Sequence, residues 1–312
     1  MTDGHQFHVV SRCELLPYLL SLRLGLSRTK AKELLRFGAV KVGRKVLVRH
    51  DTRLEAGDLV TIVAKSHAPD EAVASQGLRI VYLDDSIIVV DKPAGLLSIG
   101  SLHEKQKTAH RILNEHLRML ARSRSQQAFV VHRLDRETSG LMLFARSEFI
   151  QTALQRNWKN VTKRYLAIVA GAFANTQGTL KDHLLETASL KVHRVEKGGA
   201  LAITHYRVLR RFADKSMLEL TLETGRKHQI RVQLAGAGHP IVGDRKYSAP
   251  GDLARGLALH SCELKFHHPV TDAVMEFRST LPQRLKLALP PYAETELAQS
   301  VRRTSPGPRN HQ

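Results

Sequence analysis

Short apolar runs dominate the chain between about residues 78 and 297. Their length and their branched and aromatic side chains predict β-strands in RIVYL, SIIVVDK, AFVVHRL, LMLFA, RYLAIVAG, ITHYRVLRRF, SMLELTLETG and LALHSCELKF. Three segments with helical spacing interrupt them: HRILNEHLRMLARS, SEFIQTALQRNW and RKHQIRVQLAGAG. Because strands and helices do not alternate evenly, a parallel sheet with crossover helices is not indicated. We expect an α+β fold, with a mixed, mostly antiparallel sheet and flanking helices.

The segment before this region predicts a separate small α/β domain at residues 8–64. ELLPYLLSLRLG and SRTKAKELLRFG are apolar-periodic, and the second has Ser27 as a candidate N-cap and Gly38 as a candidate stop. AVKVGRKVLV predicts a strand pair turning at Gly43, and GDLVTIV predicts a closing strand. Residues 65–77 are small and polar and predict a linker to a main domain at 78–297. Residues 298–312 predict a disordered basic tail.

The charge of the chain favours a polyanionic partner. Lys and Arg total 48 against 29 Asp and Glu, a formal net charge of +19. RNA, DNA and an anionic membrane would each satisfy this excess, and a basic protein without such a partner is the alternative. No apolar run reaches the length of a membrane span and MTDGHQFHVV lacks the apolar stretch of a signal peptide, so we expect no membrane partner. We therefore expect a cytoplasmic protein, and we expect it to be a monomer.

The basic residues of the N-terminal segment predict a nucleic-acid contact. Residues 1–64 contain eleven Lys and Arg and six Asp and Glu. Arg28, Lys32 and Arg36 recur every four residues, so on a helix they share one face that suits a row of phosphates. The alternative is an ordinary solvated helix face.

The segment HRLDRETSG places a carboxylate where a predicted strand meets a polar turn. Asp135 lies there, held by the strand yet open to solvent. Arg133 and Arg136 flank it and favour the ionised form, which can act as nucleophile or base. The alternative is that Asp135 caps the turn, as Thr138 and Ser139 can.

The cysteines and the clustered histidines do not predict a metal site or a disulfide framework. Cys13 and Cys262 are far apart and unpatterned, and are expected to be packed thiols. His260, His267 and His268 lie on or beside one predicted strand without a further ligand group at suitable spacing. We therefore expect no metal.

The N-terminal segment resembles the small RNA-binding domain first known from small-subunit ribosomal protein S-four. The matching runs are SRTKAKELLRFGAVKV and the later AGDLVTIV. One departure is that the family usually has Asn-Gly in the turn after the V-x-V strand, where this chain has Gly43 and Arg44. Gly43 still permits a turn.

The rest of the chain resembles the RluA-like family of RNA pseudouridine synthases, the large-ribosomal-subunit type. HRLDRETSGLMLFARS, at residues 132–147, resembles the family signature HRLDxxTSGLLL. KRYLAIVAG at 163–171 and TGRKHQIRVQLAGAGHPIVGDRKY at 224–247 match two further family motifs in the same order. With the N-terminal segment, the resemblance covers about residues 8 to 290.

The resemblance implies residue roles. Asp135 matches the nucleophilic aspartate, Tyr165 the tyrosine that lies against the target base and assists proton transfer, and Arg231 the arginine that pairs with the aspartate. Arg133 matches the arginine that enters the RNA helix where the uridine leaves, and its planar guanidinium can stack on bases. Lys163 can contact phosphate beside Tyr165 or be an ordinary surface lysine.

The implied reaction isomerises uridine to pseudouridine. It exchanges no electrons or groups with other molecules, so no cofactor is required. Asp135 can attack the anomeric carbon or initiate a route through a glycal, and the sequence leaves both open. Ribosomal RNA is the expected substrate and transfer RNA the alternative. A non-catalytic RNA-binding or ribosome-assembly factor and a DNA-binding regulator are the competing functional classes, although no helix-turn-helix with a dimerisation segment is evident.

Overall fold

A computed structural model describes residues 5–22, 28, 31–32, 35, 40–43, 45–47, 49–62, 77–100, 104, 106–121, 127–247 and 256–289. The chain divides into two compact units. The first comprises Met1–Leu134, Met142–Val161 and Lys265–Glu276, and the second comprises Asp135–Leu141, Thr162–Leu264 and Phe277–Gln312. The predicted tail and the predicted linker, apart from Gly77, lie outside the described residues, and the predicted domain limits stay predictions.

The N-terminal part of the first unit contains two small antiparallel sheets and a helix. Its elements are β1 (His5–His8), β2 (Cys13–Glu14), α1 (Leu15–Ser21), β3 (Val40–Val42), β4 (Lys45–Leu47), β5 (Arg53–Leu54) and β6 (Leu59–Ile62). The strand order is β1-β6-β3-β4, with β2 paired to β5. The apolar face of α1 supplies buried leucines, and Gly43 makes the predicted turn with a φ of 55°. Strands β1, β2 and β5 were not predicted.

The second N-terminal helix is described at only four positions. Arg28, Ala31, Lys32 and Leu35 are helical, with the alanine and leucine buried and the two cations exposed. This matches the predicted division into an apolar and a basic face. Ser27, Gly38 and Arg36 lie outside the described residues.

The remainder of the first unit holds a hydrophobic core between strands and helices. Its elements are β7 (Arg79–Leu83), β8 (Ile87–Lys92), α2 (Ala109–Ala121), β9 (Phe129–Val130), α3 (Glu148–Arg156), a short 3-10 helix at Trp158–Asn160, and the end of β10 (Ser139–Ala145). Every residue of β10 is buried, which explains the continuous apolar run LMLFA. The helix α3 begins where Ser147 Oγ accepts the N–H of Ile150 at 3.2 Å.

The second unit is built on a mixed, mostly antiparallel sheet. Its elements are β11 (Thr162–Ala170), β12 (Gln177–Glu186), β13 (Val192–Val195), β14 (Ala200–Arg211), β15 (Lys215–Leu222), α4 (Gln229–Gly236), most of β16 (Leu259–His267), the end of β17 (Val274–Arg278), and α5 (Gln283–Ala288). The strand order is β13-β12-β14-β15-β11-β16-β10. The pairings from β13 to β11 are antiparallel, whereas Ser139 on β10 pairs in parallel with His260 on β16. The predicted α+β class is therefore confirmed.

A small apolar cluster fixes the helix α4 on this sheet. Val232 on α4 is buried with Leu184, Val192 and Ala202 from β12, β13 and β14, and Tyr247 packs against the cluster. Only one face of so short a helix can point toward the sheet, so this packing sets the direction of its neighbour Arg231. No helix among the described residues is both long and apolar enough to cross a membrane.

Candidate active site

Asp135 lies in a tight turn directly before β10. The N–H of Thr138 donates to the carbonyl of Asp135 at 3.1 Å, and β10 begins at the next residue, Ser139. The predicted strand AFVVHRL is shorter than expected, since only Phe129–Val130 pairs in a sheet. The Asp135 carboxylate makes its hydrogen bond with a guanidinium, and no described backbone N–H donates to it. The geometry therefore differs from a turn cap and leaves the carboxylate available for chemistry.

Close backbone contact explains the glycine that follows this turn. Gly140 has a φ of 113°, and a Cβ built on it would collide with the backbone of Ser261 on β16. Only glycine permits both this conformation and this approach. Beside it, Ser139 Oγ lies 2.9 Å from His260 Nδ1 and accepts from Arg284 Nη2 at 3.1 Å. These contacts anchor the turn that carries Asp135.

Arg231 on α4 is the direct partner of Asp135. Its Nη1 donates to Asp135 Oδ2 at 3.0 Å, as the sequence predicted for this pair. Burial alone would lower the pKa of the Arg231 guanidinium, but the hydrogen bonds and charge of Asp244, with the charge of Asp135, raise it above its ordinary value. Arg231 is therefore a permanent cation beside the carboxylate.

Asp244 holds the other side of the same guanidinium and was not singled out from the sequence. Its two oxygens accept from Arg231 Nε and Nη2, both at 2.8 Å, which is the bidentate geometry that suits arginine. Asp244 Oδ1 also accepts the backbone N–H of Lys246 at 2.9 Å and of Tyr247 at 3.2 Å. The fully buried carboxylate is thus satisfied on both oxygens. The only sequence signal was its place within the motif HPIVGDRKY.

His228 and Tyr247 complete the surroundings of the carboxylate. His228 directly precedes α4 with a φ of 54°, and its Nε2 lies 3.9 Å from Asp135 Oδ2. Its Nδ1 is 2.7 Å from the hydroxyl of Tyr247, whose ring also lies under the guanidinium of Arg231 at 5.2 Å. Tyr247, like Asp244, had no sequence signal beyond its place in the motif HPIVGDRKY.

Tyr165 lies on β11 with only 7% of its surface exposed. It pairs with Leu220 on β15, so the sheet fixes its position. Burial raises the pKa of the phenol well above its ordinary value, and the negative charge of Asp135 adds to the rise. Tyr165 therefore presents a protonated hydroxyl and an aromatic ring, and its chemistry is that of a neutral phenol.

The other cations predicted to bind RNA differ in their exposure to solvent. Arg133 is exposed, as are Arg28 and Lys32. Lys163 is buried, with 4% of its surface exposed, and burial lowers the pKa of its ammonium group. Arg36 lies outside the described residues. RNA contact by any of them stays a prediction.

The histidines considered as metal ligands have separate structural roles. His260 contacts Ser139 in the second unit. His268 in the first unit is buried, and its Nε2 lies 3.0 Å from Asp84 Oδ2. His267 is exposed, with Nδ1 3.0 Å from the carbonyl of Asp272. Cys13 and Cys262 are both free thiols, and burial raises the pKa of Cys262 to about 12.

Comparisons with known proteins identify the class of this protein. The family described as RNA pseudouridylate synthase matches residues 86–236. Ribosomal large subunit pseudouridine synthase D of Vibrio cholerae is 35% identical over 275 residues, covering 82% of this chain and 84% of that relative. The uncharacterized RNA pseudouridine synthase YlyB of Bacillus subtilis is 32% identical over 272 residues, covering 85% and 89%.

A solved structure supports the same assignment. The structure of Human RNA Pseudouridylate Synthase Domain Containing 4 has a TM-score of 0.56 and 25% identity, covering 66% of this chain and 92% of that one. The chain belongs to the RluA-like family of RNA pseudouridine synthases. It is an isomerase that acts on RNA, so the resemblance seen in the sequence is confirmed, and enzyme rather than non-catalytic binding factor is the correct class.

Proposed function

We propose that this enzyme converts specific uridines of structured large-subunit ribosomal RNA to pseudouridine, with Asp135 as the catalytic carboxylate. The observation that carries the proposal is the pair between Arg231 Nη1 and Asp135 Oδ2 at 3.0 Å. The guanidinium orients the carboxylate by a charge-assisted hydrogen bond, and an oriented carboxylate can serve as a nucleophile or a base. The name of the Vibrio cholerae relative, a ribosomal large subunit synthase, supports ribosomal RNA over the alternative, transfer RNA.

The proposed reaction balances without an outside reagent. The bond between uracil N1 and ribose C1′ breaks, the base turns within the site, and C5 bonds to C1′. C5 then loses its proton, and N1 ends with one. Asp135 acts on the ribose, either by attacking C1′ or by starting the glycal route. Tyr165 lies against the base and assists proton transfer through its neutral hydroxyl.

The target uridine must leave the RNA stack before its glycosidic bond can be reached, at a cost of a few kcal/mol. We propose that the exposed Arg133 fills the gap and offsets part of this cost by stacking its guanidinium on neighbouring bases. We further propose that residues 8–64 form the S-four-type domain that binds structured RNA through Arg28, Lys32 and Arg36.

The test uses RNA from cells in which this gene is deleted, labelled with tritium at C5 of uridine. Wild-type protein should release tritium from this RNA, because C5 loses its hydrogen in the reaction. Asp135→Asn should release none while still binding the RNA in a filter assay, because the amide keeps the shape but not the charge. Asp214→Asn, an exposed carboxylate of the same unit, is the matched control. Wild-type activity in Asp135→Asn would disprove the role of Asp135.

The substrate is tested separately. Pseudouridines are mapped in ribosomal and transfer RNA from deletion and parental cells. Sites lost from large-subunit ribosomal RNA support the proposal, whereas sites lost only from transfer RNA establish the alternative.

A further inference from the structure

The hydrogen bonds of Tyr247 assign the tautomer of His228. The Tyr247 hydroxyl oxygen accepts the backbone N–H of Val192 at 3.2 Å. Its own hydrogen then needs an acceptor, and His228 Nδ1, at 2.7 Å, is the one that the described residues supply. With Nδ1 accepting, the hydrogen of the neutral imidazole is on Nε2.

The same ring nitrogen lies near the candidate nucleophile. Nε2 lies 3.9 Å from Asp135 Oδ2, the same oxygen that accepts from Arg231 Nη1 at 3.0 Å. Neither contact uses Asp135 Oδ1. Both donors therefore lie beside Oδ2 of the carboxylate, and neither contacts Oδ1. A separation of 3.9 Å is too long for a hydrogen bond, but catalytic hydrogen bonds are often long before substrate binds.

The surroundings of His228, its burial above all, favour the neutral ring. Burial lowers the pKa of the imidazole, and the charge of Asp135 raises it. The positive charges of Arg231, Lys246 and Lys227 lower the pKa further. The ring is held in place as well: its side chain is 11% exposed and stacks edge-on with Tyr247 at 5.6 Å between centroids. A fixed, neutral N–H donor beside Asp135 suits orientation, because it adds no second full charge to compete with Arg231.

We propose that His228 is a positioning residue for Asp135: its Nε2–H closes on Oδ2 when the target uridine enters and so holds Oδ1 toward the ribose. Tyr247 acts through His228 by fixing its tautomer. This inference rests on the proposed role of Asp135, and it serves the direct attack and the glycal route equally, since both need one oriented carboxylate oxygen.

Two amide variants separate this role from a merely structural one. The amide nitrogen of glutamine is as many bonds from Cα as Nε2 of histidine is. His228→Gln can therefore still donate a hydrogen bond to Asp135. Asparagine reaches only as far as Nδ1, yet it tolerates the left-handed backbone at this position better than glutamine does. If His228 has only a structural role, the asparagine variant should therefore react faster than the glutamine variant. If His228 positions Asp135, the glutamine variant should react faster.

The measurement is single-turnover tritium release from the labelled RNA of gene-deletion cells, with RNA binding by filter assay. We expect His228→Asn to slow release about tenfold to a hundredfold and His228→Gln to stay within about fivefold of wild type. RNA binding should change less than about twofold, since His228 acts on Asp135. An asparagine variant as fast as the glutamine variant overturns the inference. If Asp135→Asn is fully active, it is the proposed function that fails instead.

A spectroscopic measurement tests the tautomer directly. In protein labelled with ¹⁵N-histidine, the His228 signals are identified by their loss in His228→Gln. We expect Nδ1 of wild-type His228 to resonate as an unprotonated nitrogen and Nε2 as a protonated one. Tyr247→Phe should shift the Nδ1 signal and slow release several-fold. A protonated Nδ1 in the wild type overturns the assignment.

Discussion

Arg231 and Asp244 form a bidentate ion pair, with Nε and Nη2 of the arginine each 2.8 Å from a carboxylate oxygen. The pair occupies two of the three guanidinium nitrogens and leaves Nη1 for Asp135. The proposed catalytic carboxylate, Asp135, is therefore oriented by an arginine that is itself held by a second, buried carboxylate. Such a chain of contacts turns a flexible side chain into a fixed donor.

Replacing Asp244 should destabilise the fold. In Asp244→Ala the guanidinium of Arg231 loses its buried counter-charge, and breaking a buried pair from one side costs about 3 to 5 kcal/mol of unfolding free energy. Urea denaturation measures this loss. Glu115→Ala is a control, since Glu115 pairs with Arg111 at the surface of α2, both side chains are more than 40% exposed, and the loss should be much smaller. Equal losses in the two variants would contradict the special role of the Arg231 pair.

The turn that carries Asp135 should not tolerate a side chain at Gly140. In Gly140→Ala the new Cβ meets the backbone of Ser261, and the φ of 113° is one that alanine rarely adopts. We expect a loss of about 2 to 4 kcal/mol in unfolding free energy, combining strain with overpacking. Gly225→Ala is the matched control, because a Cβ there meets nothing within 4 Å. A stable Gly140→Ala protein would show that β10 and β16 are less closely fitted than described.

Much of the sheet could be predicted from the sequence because its buried strands are continuous apolar runs. The core strands β8 and β10 and the antiparallel β11, β14 and β15 were all expected. Strands β12 and β13 were missed, since QGTLKDHLLE has only one buried residue and its charged side chains resemble those of a loop. The helix α4 begins later than its apolar pattern suggested, at Gln229, because His228 adopts a left-handed conformation.

The candidate site was only partly predictable, for a physical reason. Asp135, Tyr165 and Arg231 stand in motifs, so the resemblance could find them one by one. Asp244 and Tyr247 stand in the motif at 224–247 as well, but their contacts with Arg231 and His228 form only when the chain after α4 folds back, and no local pattern encodes those contacts. Lys163 shows the reverse: a charged residue beside Tyr165 suggested a surface contact, but β11 places its side chain in the interior.

Acid should weaken the first unit through Asp84. Burial alone would raise the pKa of this carboxyl, but hydrogen bonding and the charge of His268, with the N–H groups of Ile87 and Ser86, lower it below 3.8, its ordinary value. A carboxyl whose pKa is lowered by folding stabilises the fold above its unfolded pKa and loses that contribution as the pH falls through the folded one. The unfolding free energy should therefore fall with pH below about 4.

Asp84→Asn tests this contribution. The variant should be less stable than wild type at neutral pH, and the difference between the two should shrink as the pH approaches 2, measured by urea denaturation. Asp214→Asn, an exposed carboxylate, should track wild type throughout. A difference that does not change with pH would show that the ionisation of Asp84 contributes nothing to stability.

Tyr165 should act as a neutral hydroxyl over the whole working pH range. Because burial and the nearby Asp135 raise the pKa of its phenol, ionisation should add no alkaline limb to the pH–rate profile. Tyr165→Phe keeps the ring and removes the hydroxyl, and should slow tritium release about tenfold to a hundredfold. The ratio of the two rates should be constant between pH 7 and about 9, since both proteins lack a titrating group at this position. A phenolate base predicts a different result, in which the wild-type rate climbs with pH, the variant rate does not, and the ratio widens steadily.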